Sequence, residues 1–207
     1  MCGIVGFAGK PQVCGRERFI ALCRQSCIRG VHAFGIAWWS PSKGVQVFRS
    51  LDFEEVMSMV SEPLPCAIIF HNRYSTSGDY RIMANNQPVF VNGTALVFNG
   101  TVDMGTKEEM EQRYGITLQS DNDGEIVLND VLDGHPFRHI SKSDKSFAGI
   151  TIDNLGRVTA FRNKMRPLWL FAEQTSTFIC STKDIASRAG LDVKNGKPVE
   201  PLKLTRI

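Results

Sequence analysis

A cysteine directly behind the initiator methionine, in "MCGIVGFAG", has a chemistry open to no other cysteine of this chain. Removal of the methionine, usual before so small a residue, would make Cys2 the first residue, with a thiol and a free α-amine on one Cα. A thiol with a pKa near ~8.5 needs a base, and an α-amine with a pKa near ~7.7–8.0 is partly neutral at physiological pH. Through a bridging water that amine can take the thiol proton, which puts nucleophile and general base in one residue.

Four more stretches place polar residues where the pattern calls for core. "HNRYSTSG" (71–78) sets Arg73 at the polar end of an apolar strand, aimed outward from a sheet edge. A guanidinium there can grip a carboxylate with two parallel hydrogen bonds. "VFNG" (97–100) ends an apolar run in Asn99 and Gly100. Such a pair commonly makes a turn, but its side-chain amide and backbone N–H can also converge on a developing oxyanion. "SDNDGEIVLNDVL" (120–132) brings Asp123, Glu125 and Asp130 to a helix that Ser120 or Asp121 can cap. Acidic residues suit a helix start on their own account, and the spacing is not that of a calcium loop. "RGVHAFGIAWW" (29–39) contains Arg29 and His32, one of four histidines, which reads as structural.

The elements that must hold these residues follow from periodicity. "CGIVGFAG" reads as a short buried strand. "RERFIALCRQSCIRG" reads as a helix with Phe19, Leu22, Cys23 and Cys27 on one face and Gly30 as its C-cap. "FGIAWW" and "VQVFRS" read as strands about a "SPSKG" turn, "FEEVMSMV" as a short helix, and "CAIIFHNRYS" as a fully apolar strand. An Asn92-Gly93 hairpin joins "QPVFV" to "TALVFNG". Helical patterns occupy 106–113 and 123–132, and the last third is strand-rich with a short helix after Ser181. Two sheets with helices outside them, a four-layer αββα sandwich of the α+β class, is the simplest assembly.

Composition narrows the function classes. The 207 residues form a single domain with 43% hydrophobic and 22% charged residues, and a net charge of +3 with scattered Lys and Arg. That balance argues against a nucleic-acid partner or an acidic membrane surface. No apolar stretch approaches the ~20 residues of a membrane span, and the start is not a signal peptide. Of the six cysteines, Cys23 and Cys27 have no second close pair to complete a zinc site. The thiols read as reduced and mostly buried, in a cytoplasmic protein, with no metal and no cofactor motif.

Taken together, the five stretches resemble the class II glutamine amidotransferase domain, a branch of the N-terminal nucleophile hydrolases. "CGIVG", "RGVHAFGIAW", "HNRYSTSG", "FNG" and "DGE" occur in the family's order across nearly the whole chain, and "RNKMRPLWLF…STFICSTKDI" resembles its closing strands. The wording "RYSTSG" and "DGEIVLN" is nearest the phosphoribosyl pyrophosphate amidotransferase branch. The resemblance implies that Cys2 attacks the side-chain amide of L-glutamine and that Asn99 and Gly100 hold the oxyanion. It implies further that Arg73 binds the α-carboxylate and Asp123 the α-ammonium, with Thr76 and Gly78 lining the pocket and Arg29 bracing the loop near Cys2. The product ammonia would pass to a separate synthase subunit, because no synthase domain lies within residues 1–207. Departures are His32 where the family has Asp, Phe98 where it has His, and Asn85 and Asn86 before the Gln-Pro. The rival readings are a catalytically silent glutamine-sensing or scaffold module of the same fold, and a hydrolase of the same class acting on another amide.

Overall fold

The computed structural model describes residues 1–10, 14–76, 78–140 and 146–207. In chain order the first half contains β1 (Gly3–Gly9), α1 (Gly15–Ser26), β2 (Ala33–Ser40), β3 (Gly44–Ser50), α2 (Phe53–Ser58) and β4 (Ala67–Arg73). The second half contains β5 (Val89–Val91), β6 (Thr94–Asn99), α3 (Lys107–Tyr114), α4 (Gly124–Leu132), β7 (Ala148–Ile152) and β8 (Val158–Arg162). It closes with β9 (Trp169–Glu173), β10 (Ser176–Cys180), α5 (Lys183–Arg188), β11 (Lys197–Pro198) and β12 (Thr205–Arg206).

The strands make two sheets, of order β11-β9-β10-β1-β4-β2-β3 and β12-β8-β7-β6-β5, whose ladders are antiparallel. Three apolar cores separate four layers, and the two-residue alternation of each strand decides which core a side chain enters. Val5, Phe7, Ile68 and Phe70 pack with Phe19 and Leu22 of α1 and Ile185 of α5. Their sequence neighbours Ile4, Ala8, Ala67 and Ile69 turn the other way and meet Ala95, Val97, Ala148 and Ile150 between the sheets. Leu96 and Phe98 of β6 face outward again, onto Met110 of α3 and Ile126 and Val127 of α4. The result is the αββα sandwich that the patterns predict.

Local signals account for most boundaries. Asp52 caps α2, Thr106 and Glu109 form a reciprocal capping box on α3, and Thr182 caps α5. Asn92 and Gly93 both have positive φ (48° and 77°), as a two-residue hairpin turn between antiparallel strands requires.

Three expectations need correction. Helix α1 ends at Ser26 with Cys27 as its C-cap and passes into a 3-10 turn at Cys27–Arg29, so Gly30, in extended backbone (φ 174°), caps that turn and not the α-helix. A Cβ at Gly30 would stand 2.5–2.6 Å from backbone atoms of Arg73 and Tyr74, so close approach is what requires glycine there. Neither Ser120 nor Asp121 caps α4. Asp123 holds the cap position, Ser120 Oγ donates to Glu125, and Asp121 instead accepts the Lys107 N–H at the start of α3. The thiols are free as expected but not mostly buried: Cys23 and Cys180 are buried, Cys14 and Cys66 exposed, Cys2 and Cys27 between.

Candidate active site

The register of β1 against β4 places Gly3 opposite Asn72. Alternation then points Cys2, Ile4, His71 and Arg73 to the inner face of the first sheet, and Asn99, in phase with Ala95 and Val97, to the inner face of the second. Cys2, Arg73 and Asn99 thus gather at one end of the crevice between the sheets. Gly3 is fixed by the other face: a Cβ there would lie 2.1 Å from Ser26 Oγ and 2.3 Å from Asn72 Oδ1. Ser26 donates to Asn72 at 2.6 Å and Asn72 Nδ2 donates to the Gly30 carbonyl, so this buried pair ties the chain start to the 27–30 turn.

Cys2 sits on the backbone of Tyr74, whose N–H donates to Sγ at 3.4 Å, while the thiol reaches the Tyr74 carbonyl at 3.6 Å. Arg29 Nε donates to the Cys2 carbonyl at 2.8 Å. Burial pushes the Cys2 thiol above its ordinary value, against the pull of the Tyr74 backbone, the Met1 α-amine and Arg73. A thiol so placed keeps its proton at neutral pH and depends on a base for nucleophilicity.

Arg73 does not point outward. It lies almost buried on an inner strand, with Nη1 donating to the Asn85 carbonyl and to Asn86 Oδ1 (2.7 Å) and Nη2 donating to the Gly78 carbonyl at 3.3 Å. Burial lowers its pKa, and Cys2, Asp123 and Asp79 oppose that. Asp123 Oδ2 accepts the backbone N–H of Val102 at 2.5 Å and of Asp103 at 3.2 Å, joining the start of α4 to the loop after β6. Gly78 has φ +60° and accepts from Ser75 Oγ as well, while Thr76 is exposed at the tip of the same loop.

Asn99 is buried, and its Nδ2 has no hydrogen-bond partner among the described residues. An orphaned buried donor costs about 1–3 kcal/mol and persists where function needs it. At Gly100, next in the chain after Asn99, a Cβ would lie 2.5 Å from the Phe98 ring, so the packing there requires glycine.

Residues outside the five motifs complete the site. Asn85 is a hub: its carbonyl accepts from Arg73 and from Asn122 Nδ2, and its side chain exchanges bonds with Asp121. Asn86 Nδ2 donates to the Tyr80 carbonyl and Gln87 Oε1 accepts the Phe98 N–H, so "NNQ" links Arg73, α4 and β6. Three consecutive amides before an apolar strand were the available signal. His32 accepts the Ser75 N–H at 3.0 Å and stacks between Tyr74 and Tyr80 (centroids 5.2 and 4.9 Å). Its place at the base of the Arg73 loop is structural, as its sequence context predicts. Arg166, beside Cys2, had no signal beyond the resemblance of the tail.

No family model matches the chain. Over 133 residues, 61% of this chain and 21% of the relative, it is 32% identical to glutamine–fructose-6-phosphate aminotransferase (isomerizing) of Agrobacterium fabrum. All of it superposes on the glutamine phosphoribosylpyrophosphate amidotransferase from B. subtilis, with a TM-score of 0.76 at 18% identity over 47% of that chain. In sequence over that stretch, and in fold throughout, this chain is similar to the glutamine amidotransferases. It also superposes whole on a glutamine aminotransferase class-II domain protein from Silicibacter pomeroyi, with a TM-score of 0.59 at 12% identity over 94% of that chain. It spans about a fifth of the length of the curated relative and about half that of the B. subtilis enzyme. Among the described residues no helix is long and apolar enough to cross a membrane.

Proposed function

We propose that the domain hydrolyses the side-chain amide of L-glutamine to glutamate and ammonia, with Cys2 as nucleophile once Met1 has been removed. The observation that carries this reading is the unpartnered, buried Asn99 amide at the same crevice end as Cys2, Arg73 and Asp123. The freed α-amine takes the thiol proton through a water, and Sγ bonds to the amide carbon. The carbonyl oxygen becomes an oxyanion held by Asn99 Nδ2 and the Gly100 N–H. Collapse breaks the C–N bond, the ammonium form of the amine protonates the leaving nitrogen, and ammonia departs. Water then adds to the thioester, returning the proton to Sγ and releasing glutamate.

Arg73 and Asp123 supply the opposite charges that a free amino acid carries on its α-carbon, which favours glutamine over an N-acylated amide. Arg73 already bonds Gly78, so the substrate carboxylate would displace that carbonyl and shift the loop that carries Thr76. Residues 1–207 act on this reading as one glutaminase domain, and the ammonia passes to a synthase domain or subunit. Glutamate release from glutamine by Met1-processed protein, absent in Cys2→Ala, tests the reading. Release from N-acyl substrates but not from glutamine would overturn it.

A further inference from the structure

Met1 lies between two guanidiniums that arrive from opposite sides. Arg166 Nη1 is 2.8 Å from its sulfur and Arg29 Nη2 is 3.8 Å from the same atom. Arg29 ends the 3-10 turn, and Arg166 stands in the connection between β8 and β9. That connection is firmly set: Asn163 Oδ1 accepts the backbone N–H of Phe147, Met165 and Arg166. Arg166 Nη2 adds a 3.4 Å bond to the Ser146 carbonyl, but its Nε is buried without an acceptor. Among the described residues neither Arg29 nor Arg166 forms an ion pair with a carboxylate. Their charges therefore act undiminished on whatever occupies the chain start.

We propose that Arg166 is a positioning residue of the catalytic centre, whose unneutralised charge, with that of Arg29, keeps the Cys2 α-amine in its base form. The inference rests on the reading of Cys2 as an N-terminal nucleophile. An ammonium beside two guanidiniums suffers like-charge repulsion that the neutral amine escapes. The groups facing the amine at the chain start are the Cys2 thiol, Arg29 and Arg166. The amine at the chain start here is that of Met1, whose proton affinity burial lowers, Cys2 raises and both arginines lower further. Removal of Met1 leaves the Cys2 amine next to Arg29, whose Nε bonds the Cys2 carbonyl at 2.8 Å. Around the thiol itself stand Arg73 and Asp123, of opposite sign. Arg166 serves the base without touching substrate.

The test is the pH dependence of alkylation by 6-diazo-5-oxo-norleucine, a glutamine-mimicking electrophile, on Met1-processed protein. Arg166→Gln is expected to move the acidic limb up by about one pH unit and to slow alkylation near pH 7 up to about tenfold. The rate on the alkaline plateau stays unchanged, and Arg166→Lys keeps the wild-type limb. Arg166→Met, which retains an apolar stem, serves the same comparison where Arg166→Gln melts early. A limb that coincides in wild type and the uncharged variants overturns the inference alone, as does a lowered plateau with an unmoved limb. A processed wild type that takes no adduct at any pH overturns the reading of Cys2 and the inference with it.

Discussion

The backbone of Tyr74 both donates to and accepts from Cys2 Sγ, and this pair of contacts joins the first strand to the loop that follows β4. Tyr74 directly follows Arg73, so the residue that grips the proposed nucleophile is covalently next to the residue proposed to grip the substrate carboxylate. His32 holds the next residue, Ser75, and its ring is stacked between the two tyrosines of the loop. Cys2 and the loop after β4 are positioned as one unit, which on the proposed reading is the condition for holding an amide carbon within reach of sulfur. Burial keeps the thiol protonated in the resting state, so this unit does nothing until a base is present.

Asn99 should show opposed effects on stability and activity. Asn99→Ala removes a buried donor that has no partner, so the melting temperature is expected to hold or rise. Turnover is expected to fall by about 10²–10³, mainly in kcat, as for other oxyanion donors. Calorimetry and steady-state glutaminase kinetics on the same preparation check both halves.

Asp123→Asn separates charge from scaffolding. The amide oxygen still accepts the Val102 and Asp103 N–H groups, so the fold is retained. Loss of a charge-assisted bond to an α-ammonium, worth about 1.5–3 kcal/mol, predicts a KM for glutamine raised about 10- to 100-fold. Kinetics with glutamine against a substrate lacking the α-ammonium measure this, because only glutamine should be affected.

Gly30→Ala tests the approach of the 27–30 turn to β4. The added methyl collides with backbone atoms of Arg73 and Tyr74, which cannot yield as a side chain would. A loss of about 1–3 kcal/mol is expected in urea unfolding, with reduced activity because Arg29 and Tyr74 both touch Cys2.

His71 makes stability depend on pH. It is fully buried, and neither ring nitrogen meets a hydrogen-bond partner of good geometry among the described residues. Burial, aided by the nearby Arg73 cation, lowers its pKa to about 3, and the Phe98 backbone opposes the lowering. Between the ordinary value near ~6.5 and that folded value, the unfolded chain binds a proton that the folded chain does not. Stability is therefore complete above ~6.5 and falls as pH drops, by up to about 1.4 kcal/mol per pH unit. Urea midpoints at pH 5 and 7 should differ in the wild type, and His71→Leu should flatten that difference.

Strands and helices were legible because each carries one period: β6 alternates Ala95 and Val97 against Leu96 and Phe98, and that alternation alone assigns it to two cores. The five polar stretches were legible as places where that period breaks. What the sequence does not carry is the direction of a side chain at the end of a strand. Arg73 reads as outward from an edge, yet β4 lies inside the sheet, and the parity it shares with Ile69 turns the guanidinium into the crevice. Long-range partners are equally hidden. Asn85 meets Asp121 and Asn122 only once α4 is laid beside the β4–β5 connection. Arg166 reaches the chain start from 165 residues away.

The central claim, that Cys2 becomes the first residue and attacks glutamine, is tested most directly by intact mass after incubation with 6-diazo-5-oxo-norleucine. The account predicts loss of Met1 and a single adduct, mapped to Cys2 and blocked by glutamine. A processed chain that takes no adduct, or an adduct on another cysteine that glutamine does not protect, would contradict it.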